Sequence, residues 1–260
     1  MSSSKAPALF IGHGSPLTAF SDNAHVQAWR ALGAELETPK AILAVSAHWW
    51  IPETAATAME RPRTIHDFGG FPAEMYEARY PAPGSSPLAE RVADLLAPTP
   101  VRRDLDWGLD HGAWAPLMHL FPKADVPVVQ LSLDSTRDGA WHWEQAERLR
   151  PLRDEGVLVL ASGVVVHNLR RIDRRPAAPE MPWARAFSDR IAEALEAGDR
   201  ETLVNWRALP DAEIAAPDPD HFLPLLYAAA LRGPGEPIRL FDRTLEMGSL
   251  DMTSAVVGRA

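Results

Sequence analysis

The chain carries nine histidines and no cysteine, so metal and proton chemistry fall to imidazole and carboxylate groups. Without thiols there is no thiolate metal site, no thiol nucleophile and no disulfide. Three histidines stand at or just beyond the ends of short apolar runs. His13 lies in Gly12-His13-Gly14-Ser15-Pro16, His48 in Ser46-Ala47-His48-Trp49-Trp50, and His167 in Val164-Val165-Val166-His167-Asn168. A fourth, His221, follows Asp218-Pro219-Asp220 at the start of a helical pattern. Imidazole is the commonest neutral metal ligand and suits iron, zinc, copper and nickel. Three such ligands leave open positions for a bidentate substrate or a small gas. The spacing matches no compact motif such as two histidines four apart on a helix. Convergence of His13, His48 and His221 therefore depends on the fold, since a single histidine at a strand end is more often a hydrogen-bonded core or surface residue than a ligand.

The other histidines divide by context. His111, in Gly108-Leu109-Asp110-His111-Gly112, reads as a turn imidazole free to serve as general acid or base, or as a helix-starting residue. His66, in His66-Asp67-Phe68-Gly69-Gly70-Phe71-Pro72, belongs to a Gly-rich aromatic loop that suits a lid, an aromatic wall or a plain turn. His25, His119 and His142 fall in helical patterns and read as structural. Ser15 lacks the strand–serine–helix elbow with glycines two residues to either side, which argues against a hydrolase triad.

The elements that must position these residues follow from periodicity. Residues 7–11, 41–47, 126–133 and 157–161 are short, β-branched apolar runs of strand length. Helical patterns lie between them. Ser86 reads as an N-cap with Pro87 behind it, and Leu88, Val92, Leu95 and Leu96 share one face. Phe187, Ile191 and Leu195 recur at four-residue spacing before Gly198, and a third pattern runs from about 222 to 232. Strands separated by helices predict an α/β fold with a mostly parallel central sheet covered by helices on both faces. In such sheets ligands collect outside the carboxyl ends of the strands, where the strand-end histidines fall. The 24 prolines cluster in connections, including 175–182, and read as stiff loops on a single domain spanning 1–260.

Composition narrows the function classes. With 46% hydrophobic residues the chain can bury a sizeable core. Thirty-five acidic against 26 basic residues give a net charge of -9, which disfavours a nucleic-acid partner, since such proteins carry a basic face. No apolar run approaches the ~18 residues of a membrane span, and no secretory leader is read at the start. The expectation is a soluble cytoplasmic protein with no membrane partner.

Taken together and in order, six segments resemble the 4,5-DOPA dioxygenase extradiol-like family of class III extradiol ring-cleaving dioxygenases. They are Pro7-Ala8-Leu9-Phe10-Ile11-Gly12-His13-Gly14-Ser15-Pro16, Ser46-Ala47-His48-Trp49, His66-Asp67-Phe68-Gly69-Gly70-Phe71-Pro72, Gly108-Leu109-Asp110-His111-Gly112-Ala113-Trp114, Ser162-Gly163 through His167-Asn168-Leu169, and His221-Phe222-Leu223-Pro224-Leu225. The resemblance implies that His13, His48 and His221 ligate a metal, with His167 a fourth ligand or an adjacent base. It implies His111 as the acid–base group near the substrate, and a pocket that includes His66, Phe68, Trp49 and Trp114. The implied reaction opens a catechol with O2 to a muconic semialdehyde. In the wider class a carboxylate is the third ligand; with His221 in that position the donor set is neutral. That set implies Zn(2+) in the protein as isolated and Fe(2+) for ring cleavage. Two alternatives on the same scaffold are a zinc-dependent hydrolase and a non-catalytic, Memo-like interaction protein.

Overall fold

The computed structural model describes residues 5–175 and 177–259, so Pro176 of the proline-rich run and the first four residues lie outside the description. Its strands are β1 (Ala8–Gly12), β2 (Ala41–Ile51), β3 (Ala55–Thr57), β4 (Arg102–Asp104), β5 (Val128–Asp134), β6 (Val157–Gly163), β7 (Ile238–Phe241), β8 (Leu245–Glu246), β9 (Leu250–Asp251) and β10 (Ser254–Val257). Its helices are α1 (Ala24–Glu35), α2 (Ser86–Leu96), α3 (His111–Leu120), α4 (Gly139–Arg148), α5 (Pro151–Asp154), α6 (Pro182–Ala197), α7 (Arg200–Val204), α8 (Ala212–Ala215) and α9 (Leu223–Ala230).

Eight strands form one sheet in the order β4-β3-β5-β2-β6-β1-β10-β7. The four central strands, β5, β2, β6 and β1, are mutually parallel, which matches the four apolar runs. Among the described residues the antiparallel pairs of this sheet lie toward its margins, at β3 with β5, β1 with β10 and β10 with β7, while β8 and β9 form a separate antiparallel pair. Because side chains alternate along a strand, each central strand feeds two cores. Phe10, Leu43, Val45, Val159 and Leu131 pack with α2, α4, α6 and α9. Leu9, Ile11, Ile42, Ala44 and Leu160 pack on the other face with α1 and α3. The fold is therefore an α/β sheet with helices on both faces.

Local chemistry sets the helix ends, with small differences from the sequence expectation. Ser85, not Ser86, caps α2, accepting from the Leu88 N–H at 3.2 Å; Pro87 still falls in the first turn, where its missing N–H costs least. Gly198 ends α6 in the left-handed conformation, φ 68°. His111 is the first residue of α3, capped by Asp110, rather than a turn residue. The α3 start, β1, β2 and β6 all deliver residues to one edge of the sheet.

Candidate metal centre

His13 follows Gly12 at the carboxyl end of β1, and its backbone N–H reaches Gly163 O at the end of β6. His48 owes its aim to a bulge. Between the Val45–Leu131 and Trp50–Leu133 pairs, β2 takes five residue steps while β5 takes two. The excess backbone bends β2 where His48 sits, as bulges beside functional sites do. His221 precedes α9 and is tied to β6 by the Val164 N–H donating to His221 O at 2.8 Å. Two glycines permit this crowding. A Cβ on Gly163 would lie 2.3 Å from His221 O, and one on Gly112 would lie 2.3 Å from Ser46 Oγ and 2.9 Å from His48 Cδ2.

The rings converge. Ring centroids of His13 lie 5.0 Å from His48, 5.6 Å from His111 and 5.4 Å from His221. His48 is 3.9 Å from His111 and 4.9 Å from His221. His167 stacks flat on His221 at 3.6 Å and 9°. Among the described residues, one donor atom from each of His13, His48 and His111 lies within 4.8 Å of the other two.

His13, His48, His111 and His221 each have an outward neighbour. His13 Nδ1 meets Ser162 Oγ at 3.0 Å, and His111 Nδ1 meets Asp67 Oδ2 at 2.9 Å. His48 Nδ1 lies 3.3 Å from the same Asp67 oxygen. His221 Nδ1 lies 3.0 Å from Asp220 Oδ2, too obliquely for a directed hydrogen bond, so this contact is electrostatic. The inward atoms crowd one another, with His13 Nε2 and His48 Nε2 3.1 Å apart.

Burial and mutual repulsion keep His13, His48 and His167 neutral. Burial, then the neighbouring His221, His111 and His167, holds His13 well below the usual histidine range. Burial and the same kind of repulsion do so for His48. Burial, with His221 beside it, lowers His167 to about 3. Burial also pushes the Asp110 carboxyl up to about 6, with Asp67 nearby adding to the rise. Buried imidazoles anchored on the outward nitrogen, with the other nitrogen turned inward, are what a divalent ion requires of its ligands. The 3.1 Å approach of two Nε2 atoms is close to the spacing of two ligands on one ion with bonds of ~2.0–2.1 Å. The donor set therefore fits a metal.

Residues 7–246 match the family described as the catalytic LigB subunit of aromatic ring-opening dioxygenase. The chain belongs to the LigB family. Its relatives include the 4,5-DOPA dioxygenase extradiol of Escherichia coli K12, 46% identical over 99% of this chain and 97% of that protein. The 4,5-DOPA dioxygenase extradiol of Beta vulgaris is 38% identical over 94% of each chain. A crystal structure of an uncharacterized protein from Escherichia coli K12 superposes with a TM-score of 0.86 at 41% identity, covering 98% of this chain and all of that one.

Within this LigB-family site, the residues expected from sequence occupy distinct places. His13, His48, His111 and His221 form the ring cluster, and His167 sits behind His221. Phe68 meets the His111 ring edge-on at 5.6 Å. His66 stands one layer back, 5.9 Å from Trp114, with Nε2 3.1 Å from Ala78 O. Trp114 is fully buried, its indole N–H donating to Ile65 O, so it supports the loop rather than facing solvent. Trp49, also expected in the pocket, has another aromatic partner. Its ring stacks on Trp107 at 5.5 Å and 6°, away from the histidines, because it follows His48 on an extended strand. His142 bonds Tyr227 and Asp134 O, and His119 bonds Ala19 O, as structural residues do. Sequence reasoning assigned no role to Asp67, Ser162 or Asp220. Asp67 adjoins His66 in sequence yet serves His48 and His111, so adjacency is a misleading signal there.

Proposed function

We propose that this chain opens the ring of a catechol-type, DOPA-like substrate with O2 to a muconic semialdehyde, as a metal-dependent extradiol dioxygenase acting as one domain over 1–260. The observation that carries the reading is the convergence of anchored imidazoles at one sheet edge in a LigB-family chain. His13, His48 and His221 hold the metal. When bound, Fe(2+) supplies redox chemistry between the diol and O2 and polarises the diol oxygens, whereas zinc has no accessible redox change. His111 is placed to take a proton from a diol hydroxyl, since Asp67 holds its Nδ1 and its Nε2 has no protein hydrogen bond among the described residues. His167, stacked on His221 and held neutral, offers a lone pair at the same edge, as a fourth ligand or an adjacent base. Phe68, edge-on to His111, supplies an aromatic wall for the ring, with His66 behind it. A second reading makes His111 the third ligand in place of His221, supported by the proximity of the His13, His48 and His111 donor atoms.

The neutral donor set discriminates weakly among late divalent ions and favours zinc over iron in the Irving–Williams order. Protein as isolated should hold zinc, while ring cleavage follows Fe(2+). No helix among the described residues is long and apolar enough to cross a membrane, and the acidic balance disfavours nucleic acid; the proposed reaction implies a small aromatic diol and O2 as partners, in the cytoplasm. The test is to strip the metal, reload with zinc or anaerobically with Fe(2+), and follow oxygen uptake with a panel of catechols that includes DOPA. A yellow semialdehyde formed only with Fe(2+) is the expected result. Absence of uptake with every diol would favour the hydrolase or interaction reading, and equal turnover with iron-free zinc would remove the redox role.

A further inference from the structure

One carboxylate faces two of the clustered imidazoles at once. Asp67 stands in the loop between β3 and α2, mostly buried. Its Oδ1 accepts the His111 backbone N–H at 2.8 Å. Its Oδ2 lies 2.9 Å from His111 Nδ1 and 3.3 Å from His48 Nδ1. The His48 contact is longer and less direct, yet its electrostatics have one sign. A carboxylate oxygen attracts an imidazole N–H and repels an imidazole lone pair, so each ring is lowest in energy with hydrogen on Nδ1. Nε2 then carries the lone pair on both rings.

The third ring is wired differently. His13 Nδ1 faces the Ser162 hydroxyl, which donates or accepts with equal ease. His13 can therefore place its hydrogen on Nε2, against the His48 Nε2 lone pair 3.1 Å away, or move it to Nδ1 when Nε2 is needed as a ligand. The two rings beside Asp67 face a carboxylate, which only accepts.

We propose that Asp67 is a positioning residue that fixes His48 and His111 together as Nδ1–H tautomers, so that one carboxylate sets both a metal ligand and the acid–base group. The tautomer assignment stands on these distances, and its consequence for metal binding rests on the function proposed above. The competing role is a loop anchor, acting only through Oδ1 and the α3 backbone. Asp67→Asn distinguishes the two. The amide keeps an acceptor for the His111 N–H but turns its NH2 toward the imidazoles, which favours a lone pair on Nδ1.

The experiment is long-range 1H–15N NMR of histidine-labelled, metal-free protein, read beside Zn(2+) affinity by chelator competition and urea stability. Wild-type His48 and His111 should both show hydrogen on Nδ1, a measurement that needs no variant to fold. In Asp67→Asn at least one ring should invert, and zinc affinity should fall about 10–100-fold, the usual effect of losing a ligand's outer partner. Wild-type rings with hydrogen on Nε2 would overturn the proposal. So would weakened zinc binding with unchanged tautomers, which is the signature of a loop anchor. Tautomers that respond to Asp67 in a protein that takes up no zinc would uphold the assignment and defeat the metal reading instead.

Discussion

Removing one imidazole at a time separates ligands from proton carriers, because a ligand's loss empties the centre and an acid–base group's loss does not. His13→Ala, His48→Ala and His221→Ala should each lose bound metal by elemental analysis. His111→Ala should keep it while turnover falls ~10²–10⁴-fold, the range for a positioned acid–base group. Full metal in all three ligand variants would remove the proposed set. Metal loss in His111→Ala would move His111 among the ligands, which its place beside His13 and His48 makes geometrically available. The positions of His13 and His48 were legible in sequence because apolar strand runs lead straight to them. The choice between His111 and His221 was not, since it turns on ring orientation.

At the scale of elements, the site depends on how closely β6 approaches the segment before α9. Gly163 closes β6, and a methyl group there would sit 2.3 Å from His221 O and 3.2 Å from Pro224 Cγ. Backbone cannot yield as a flexible side chain would, so Gly163→Ala must push His221 outward. The expected outcome is a stability loss of about 1–3 kcal/mol by urea unfolding, the usual cost of overpacking, with reduced metal occupancy. Gly69→Ala is the control, since nothing lies within 4 Å of its added methyl. Equal behaviour of the two variants would show that the β6 contact does not position His221. The sequence marked Gly163 only as part of a motif, because close approach of two backbones is invisible until both are placed.

Across the whole molecule, His25 ties the amino-terminal helix to the carboxyl-terminal strands. It lies in α1, with Nδ1 2.6 Å from Asp242 Oδ2 and Nε2 2.8 Å from Glu246 Oε1. Burial lowers its pKa, but hydrogen bonds to the two carboxylates outweigh burial and raise it to about 9. A folded pKa above the unfolded value of 6.5 means the clamp contributes fully below about pH 6.5 and is lost as pH rises through about 9. His25→Gln should therefore cost about 2 kcal/mol at pH 6, allowing for screening at partly exposed Glu246. The gap from wild type should close by about pH 9.5. Urea unfolding across that range checks it, and a gap independent of pH would assign the effect to packing instead of charge.

The sequence by itself determined the α/β class, the parallel central strands and the histidines at their carboxyl ends. These follow from short-range patterns: alternation and run length identify strands, and a strand's end locates whatever residue comes next. Only the tertiary structure decided that His111 begins a helix, that a bulge in β2 aims His48, and that Trp49 turns away to Trp107. It also decided which group anchors each ring. Asp67 and His111 are 44 residues apart, and Ser162 and His13 are 149 apart. An imidazole's orientation is set by the acceptor beside it, and chain separations of that size leave no local trace of which acceptor that will be.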